Sequence, residues 1–293
     1  MFSKEILGVR VDFGMNMDQV LDVVENKLLK EEGTHYICTT NPEFIIEAQK
    51  NESFRKIINK SDLSVPDGVG VIYAKDYLEK VSRYKKDFLF PIRALVSGLV
   101  LGVKGGQSSE RITGVDLTYK ICELASKKGF SVFFLGSKPK RESVNGDGSD
   151  DKSNMSDLSA KLKNMFPNLN IIGVASQFSR ESKDDDNTIK YVKECMVEKE
   201  VTSLDIIFVA YGHPYQEEWI ERNSSKIPAK LSIGVGGTLD YMAGYNNLPP
   251  DKYIKRNLGW VYRLFKQPWR IKRVYNAFPY FPFKIYFLSL RKS

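Results

Sequence analysis

The sequence predicts an α/β fold: a mostly parallel sheet with flanking helices, followed by a basic, aromatic-rich helical appendage at the C-terminus. Three observations predict it. Short apolar runs alternate with longer segments of helical periodicity, the pattern of βαβ units. Several of these runs stop at Asn, Pro, Asp or Gly and pass straight into a helix, as strand-to-helix turns do in open sheets. The net positive charge is confined to the end of the chain. Residues 251–293 hold 11 basic residues, one acid and 12 aromatics, while the rest of the chain is slightly negative.

The elements follow in order. A first strand, Tyr36–Thr39, runs into Thr40-Asn41-Pro42, where Asn before Pro suits an N-cap and first helical residue for a helix over Pro42–Gln49. A second strand, Leu63–Val65, ends at Pro66-Asp67-Gly68 and leads into a helix over Val69–Tyr77. The apolar stretch Phe88–Val103 contains Pro91, Arg93, Gly98 and Gly102. It is shorter than the ~20 apolar residues a membrane span needs, so it reads as a buried or interfacial helix. A helix at Val115–Lys127 and a strand at Ser131–Gly136 precede Lys140–Asp157, a polar low-complexity insertion read as a surface loop. Then come helix Leu158–Met165, strand Asn170–Val174, helix Thr188–Glu198, strand Asp205–Ala210, helix Pro214–Ser224 and strand Leu231–Val235. The run from Ser131 to Gly237 is Rossmann-like. The expected division is a catalytic α/β domain over 1–250 and an appendage over 251–293.

Composition narrows the class. A hydrophobic fraction of 42% and a charged fraction of 27% suit a soluble globular protein, and 293 residues can bury one large core or a main domain plus an appendage. Cys38, Cys122 and Cys195 sit among apolar neighbours without CxxC spacing, which argues against a disulfide framework or zinc site. Two histidines, His35 and His213, exclude a histidine-rich metal site. Asp184-Asp185-Asp186 reads as the acidic start of a helix rather than a metal ligand set. The residues from Met1 to Glu5 lack the apolar core of a secretory signal, so a cytoplasmic location is expected. The phosphate-binding fingerprint GxGxxG is absent, which disfavours a dinucleotide-dependent enzyme.

Asp67 is the leading catalytic candidate. A carboxylate between Pro and Gly at a strand end is held by a rigid turn and can act as a general base in a crevice. From this window alone, a cap for the next helix is an equally good reading. The tail has three readings. Trp and Tyr beside Lys and Arg suit a lipid headgroup interface. The same mixture suits single-stranded nucleic acid, or aromatics packed on the main domain.

Six segments in order carry a resemblance: Thr39–Phe44, Val65–Gly70, Glu110–Leu117, Val132–Pro139, Gly212–Ile220 and Gly234–Gly244. Together they resemble the WecG/TagA/CpsF family of glycosyltransferases (glycosyltransferase family 26), from about Ile6 to the C-terminus. The resemblance implies an inverting transfer of an N-acetylmannosamine-type sugar from a UDP-sugar donor to a polyprenyl-diphosphate-linked glycan. The implied acceptor resembles GlcNAc-diphosphate-undecaprenol and the implied linkage is β-1,4, in teichoic acid, capsule or exopolysaccharide synthesis. Other members use UDP-glucose or a UDP-ManNAc uronate. No cofactor and no metal are implied, and no Asp-x-Asp pair stands at a strand end.

By the same resemblance Asp67 is the base, with Thr39 and Asn41 as polar partners. Arg111, Gln216, Asp240, Gly236 and Gly237 bind substrate, and Arg263, Arg270 and Arg273 clamp the diphosphate. Asn41 also suits an N-cap, and Arg111 an ion pair with Glu110. The tail is expected to dock on the anionic inner face of the cell membrane, making the protein peripheral, with no nucleic-acid partner. Two departures stand out. Leu248-Pro249-Pro250 replaces the family's Arg-Ala-Pro, leaving Lys252, Lys255 or Arg256 to substitute, and Gly259 replaces a Glu. The rival class is a non-catalytic lipid- or nucleic-acid-binding protein on the same scaffold. The complete set Thr39, Asn41, Asp67, Arg111, Gln216 and Asp240 argues against it.

Overall fold

The computed structural model describes residues 1–104, 111–136, 150–254 and 259–291. The chain opens with a hairpin that sequence reading passed over, β1 (Phe2–Ile6) against β2 (Val9–Phe13). Its signal is the alternation Val9, Val11, Phe13, all buried. The turn hid it. Leu7 and Gly8 both have positive φ (52° and 76°), the geometry of a tight two-residue turn usually written with Asn-Gly.

Six strands form the main sheet in the order β4-β3-β8-β7-β5-β6, and every neighbouring pair is parallel. They are β3 (His35–Thr40), β4 (Leu63–Pro66), β5 (Ser131–Leu135), β6 (Asn170–Ala175), β7 (Leu204–Val209) and β8 (Ala229–Gly234). All six lie where the apolar runs predict, and the α/β class stands. Because both faces are covered by helices, the strands read as continuous apolar runs rather than alternating ones. Phe134 and Phe208 pack with α1 (Met17–Val23), α6 (Gly114–Lys128), α7 (Asp150–Met165) and α10 (Thr238–Met242). Phe133, Ile207 and Val209 pack on the other side with α8 (Asp185–Glu198) and α9 (Tyr215–Asn223).

A third core joins the hairpin to α2 (Pro42–Glu47), α3 (Glu52–Asn59), α4 (Val69–Ser82), α5 (Phe90–Lys104) and the last helix, α14 (Phe281–Arg291). Phe281 and Ile285 of α14 are fully buried in it. Among the described residues between Pro250 and α14 are the short α-helices α11 (Asp251–Ile254), α12 (Gly259–Lys266) and α13 (Ile271–Tyr275).

Three local readings change. Helix α7 begins at Asp150 rather than Leu158, so the end of the expected polar loop is helical. Residues 140–149 lie outside the described residues. Helix α3 was not predicted, although Asn51 caps it through a hydrogen bond from the Phe54 N–H at 2.9 Å. Helix α5 covers most of the Phe88–Val103 stretch and ends at Lys104, and its described side chains are buried along one face and exposed along the other. No described helix is long and apolar enough to cross a membrane.

Candidate active site

The carboxyl ends of β3 and β4 lie side by side, with Thr39 opposite Val65 and Thr40 opposite Pro66. Side-chain hydroxyls fasten them: Thr40 Oγ1 and Ser64 Oγ are 2.7 Å apart. The Asp67 N–H donates to the Thr40 carbonyl at 2.8 Å, which turns the Pro66-Asp67-Gly68 corner back across β3. Gly68 completes the corner at φ 91°, a conformation that L side chains adopt only with strain.

A second segment reaches the same point from far along the chain. The Ile112 N–H donates to the Pro66 carbonyl at 3.1 Å, laying Arg111–Gly114 against the end of β4. Thr113 caps α6, accepting from the Asp116 N–H at 3.1 Å, so the N-terminus of α6 faces Asp67. The Gly114 N–H donates to the Asp67 carboxylate. A methyl group on Gly114 would stand 3.3 Å from Thr39 Oγ1 and 3.6 Å from Asp67 Oδ2, so these three residues share one small space.

Asp67 has opposing influences. Burial raises its pKa from 3.8 to about 6, against the lowering effects of the Gly114 N–H, Arg111 and Arg263. It is therefore mostly ionised at neutral pH, yet more basic than an ordinary carboxylate. That combination suits a general base.

The tail returns to this crevice. Arg263 of α12 contributes charge to Asp67 across nearly two hundred residues of sequence. Arg270 lies beside Arg273, Tyr241, Arg263 and Glu43, and burial lowers its pKa. Arg273 is held by Glu43, with Nε at 2.8 Å and Nη2 at 2.6 Å from Oε2. The three predicted arginines are thus brought together over the β3 and β4 ends. Arg273 spends its fork on Glu43, a residue that sequence reading did not single out. Glu43 sits in the first turn of α2, and only the folded tail reveals its role.

A second cluster surrounds the end of β8. Gln216, 3% exposed, donates from Nε2 to Glu217 at 2.6 Å and accepts the Gly236 N–H on Oε1 at 2.8 Å. Both ends of its amide are engaged within the protein, fixing the glycine loop. Gly236 has φ 52° and leads through Gly237 into α10, where Asp240 is partly exposed. Tyr241, next to Asp240, interacts with Arg270 and so links the two clusters. Asn41 is the N-cap of α2: its Oδ1 accepts from the Glu43 and Phe44 N–H groups at 2.9 and 3.1 Å.

Beneath the loops, His213 stacks on Phe44 with centroids 4.4 Å apart. Burial lowers its pKa to about 3, while burial raises that of Glu217 to about 8. Their 3.9 Å approach is therefore between two neutral groups at neutral pH, not an ion pair. Asp185 of the acidic triplet pairs with Arg222 at 2.8 Å at the start of α8. Glu110, Lys255 and Arg256, considered above as an ion-pair partner and as substitute cations, lie outside the described residues.

The profile described as "Glycosyl transferase WecG/TagA/CpsF family" matches residues 4–86 and 94–293. A curated relative from Bacillus subtilis (strain 168), an N-acetylglucosaminyldiphosphoundecaprenol N-acetyl-beta-D-mannosaminyltransferase, is 26% identical, covering 88% of this chain and 82% of the relative. A protein of the same name from Bacillus spizizenii is 26% identical over 86% of this chain and 79% of its own length. Another, from Staphylococcus aureus (strain MRSA252), is 25% identical over 96% of this chain and 91% of the relative.

Proposed function

The chain belongs to the WecG/TagA/CpsF glycosyltransferase family, and from that premise we propose that it moves N-acetylmannosamine from a UDP-linked donor to a lipid-linked GlcNAc-diphosphate acceptor. The expected product is the β-1,4 disaccharide on undecaprenyl diphosphate, for teichoic acid-type wall polymers. The names of the relatives support this donor sugar and this acceptor.

The observation that carries the reading is Asp67, a carboxylate with pKa about 6 between a helix N-terminus and a group of arginines. Asp67 removes the proton from the acceptor hydroxyl as that oxygen attacks the anomeric carbon. The bond from that carbon to the diphosphate oxygen breaks on the opposite face, so the configuration inverts. Negative charge then gathers on the departing UDP. Arg111, Arg263 and Arg270, with the N-terminus of α6, stabilise that charge, and interactions that strengthen as charge develops are those that accelerate the step. Thr39 orients the acceptor hydroxyl beside Asp67. Asn41 holds α2 in register and turns its amide Nδ2 toward the sugar. Gly236 and Gly237 let the backbone approach the nucleotide, with Gln216 as their positioning residue, and Asp240 accepts from ribose hydroxyls. Arg273 holds the tail closed through Glu43.

In this reading residues 1–250 form the catalytic domain, and 251–293 form an appendage that seats the enzyme on the cytoplasmic face of the membrane. The appendage brings Arg263 and Arg270 to the diphosphate. The test is UDP release from a panel of UDP-sugars with a soluble lipid-linked GlcNAc analogue, wild type beside Asp67→Asn. Acceptor-dependent release with UDP-ManNAc, abolished in the variant, is expected. Release with UDP-glucose or a UDP-ManNAc uronate instead would change the donor. UDP binding without release from any donor would favour a non-catalytic binding protein.

A further inference from the structure

Helix α5 is built inside out for a protein in water. Among its described side chains, Phe90, Ala94 and Ser97 are buried, and Gly98 and Leu101 on the same face are partly covered. Apart from Phe90 and Leu101 this inner face is small. A methyl on Gly98 would meet Tyr73 Oη at 2.9 Å and the Tyr77 ring at 3.4 Å, so α5 and α4 are in close approach. Ser97 Oγ and Tyr84 Oη are 2.6 Å apart across the same contact. The outward face carries Ile92, Leu95, Val96, Leu99 and Val100, exposed by 60, 44, 50, 64 and 40%. Small residues toward the protein and aliphatic ones away from it are the arrangement of a helix facing lipid.

Three further observations fix the occupant. The only charged side chain between Phe88 and Val103 is Arg93, and it is turned back to Asp87 at 2.7 Å and the Lys85 carbonyl at 2.5 Å. Exposed Arg83, Lys85 and Lys86 stand immediately before the helix, at the position that anionic headgroups favour. The neighbouring α14, whose Tyr286 Oη donates to the Pro91 carbonyl at 3.4 Å, shows Phe283 and Phe287 to solvent, 53 and 55% exposed. At 15 residues α5 is too short to span a bilayer, so it lies along the surface. The family profile is interrupted at residues 87–93, where this element begins.

We propose that α5, with Phe283 and Phe287 of α14 beside it, is a lipid-inserting surface that seats the enzyme in the bilayer holding its acceptor. This rests on the reading of the acceptor as lipid-linked, and it adds to the charged groups of the tail an apolar anchor centred on α5. The two respond differently to salt. Attraction of the tail to anionic headgroups is screened at about 0.5 M NaCl, whereas insertion of aliphatic side chains is not.

The experiment is co-sedimentation of the full chain with phosphatidylglycerol–phosphatidylethanolamine vesicles at low and high salt, without substrates. Wild type is compared with Leu95→Glu/Leu99→Glu and with Leu95→Ser/Leu99→Ser, after thermal melting has established that each folds. Val197→Glu, at an exposed apolar position on α8, is the control. The expected result is substantial wild-type binding at high salt, reduced ~10-fold or more in both α5 variants and unchanged in the control. UDP release with the soluble acceptor is unchanged in the α5 variants, which separates this inference from the proposed reaction. Absence of wild-type binding at high salt would overturn it, as would α5 variants that bind like wild type. A wild-type dimer that dissociates in the α5 variants while vesicle binding persists would also overturn it, assigning the face to self-association.

Discussion

Asp67 shows how one carboxylate can serve catalysis at the expense of stability. Its folded-state pKa of about 6 exceeds the ordinary 3.8, so the folded chain holds the proton more tightly than the unfolded chain does. Stability from this group is therefore greatest below about pH 4 and is lost as pH rises through about 6. Asp67→Asn is expected to abolish UDP release while stabilising the protein by about 1–2 kcal/mol at pH 7.5, with the gain vanishing near pH 4. Paired thermal melts at the two pH values check it; a destabilised variant at pH 7.5 would contradict the electrostatic account. In wild type, kcat/KM should fall on the acid side with an apparent pKa near 6, a limb absent if Asp67 is not the base. Glu217 makes a complementary case. With a folded-state pKa of about 8 against an ordinary 4.5, Glu217 must take up a proton on folding at neutral pH, so Glu217→Gln should stabilise the protein by about 1–3 kcal/mol at pH 7. The variant should also flatten the loss of stability between about pH 4.5 and 8, as urea titrations would report. Asp67 was legible from its Pro-Asp-Gly turn. The engagement of Gln216 and the neutrality of His213 and Glu217 were not, because both follow from burial by residues distant in sequence.

At the scale of elements, the strand-to-helix corners carry the site and glycine sets their shape. Gly68 at φ 91° directs Asp67 into the crevice. Gly68→Ala is expected to cost about 1–2 kcal/mol of stability and to lower kcat more than it raises KM, because it moves the base rather than the binding groups. Steady-state kinetics with the soluble acceptor would separate the two; a pure KM effect would argue against a positioning role. All six core strands were readable because parallel strands covered on both faces are uninterrupted apolar runs bounded by turn residues. The hairpin β1–β2 was not, because Leu7-Gly8 lacks the usual turn chemistry. Helix α7 was shortened in the sequence reading because its first half is polar and offers no apolar period to detect.

Across the whole molecule the tail does two kinds of work. Its basic and aromatic composition suggested an appendage, and α12 and α13 do carry arginines to the carboxyl end of the sheet. Yet Phe281 and Ile285 are fully buried among the hairpin, α2 and α4, so α14 completes a core as well. Phe281→Ala is expected to destabilise the chain by roughly 3–5 kcal/mol. Removing everything after Pro250 should therefore lower the melting temperature in addition to vesicle binding and turnover. Arg263→Ala, which leaves that core intact, is the cleaner probe of diphosphate stabilisation: UDP release should drop with the melting temperature held.

The sequence alone determined the six strands of the main sheet and their order along the chain, the corner bearing Asp67, the family and the concentration of positive charge at the C-terminus. These are local properties, written in periodicity, turn residues and motif order. Only the tertiary structure decided that Gly114 and Arg263 meet at Asp67, that Glu43 takes up Arg273, and that α5 turns its aliphatic side outward. Each depends on which surfaces pack against which, and packing joins residues that the sequence keeps far apart.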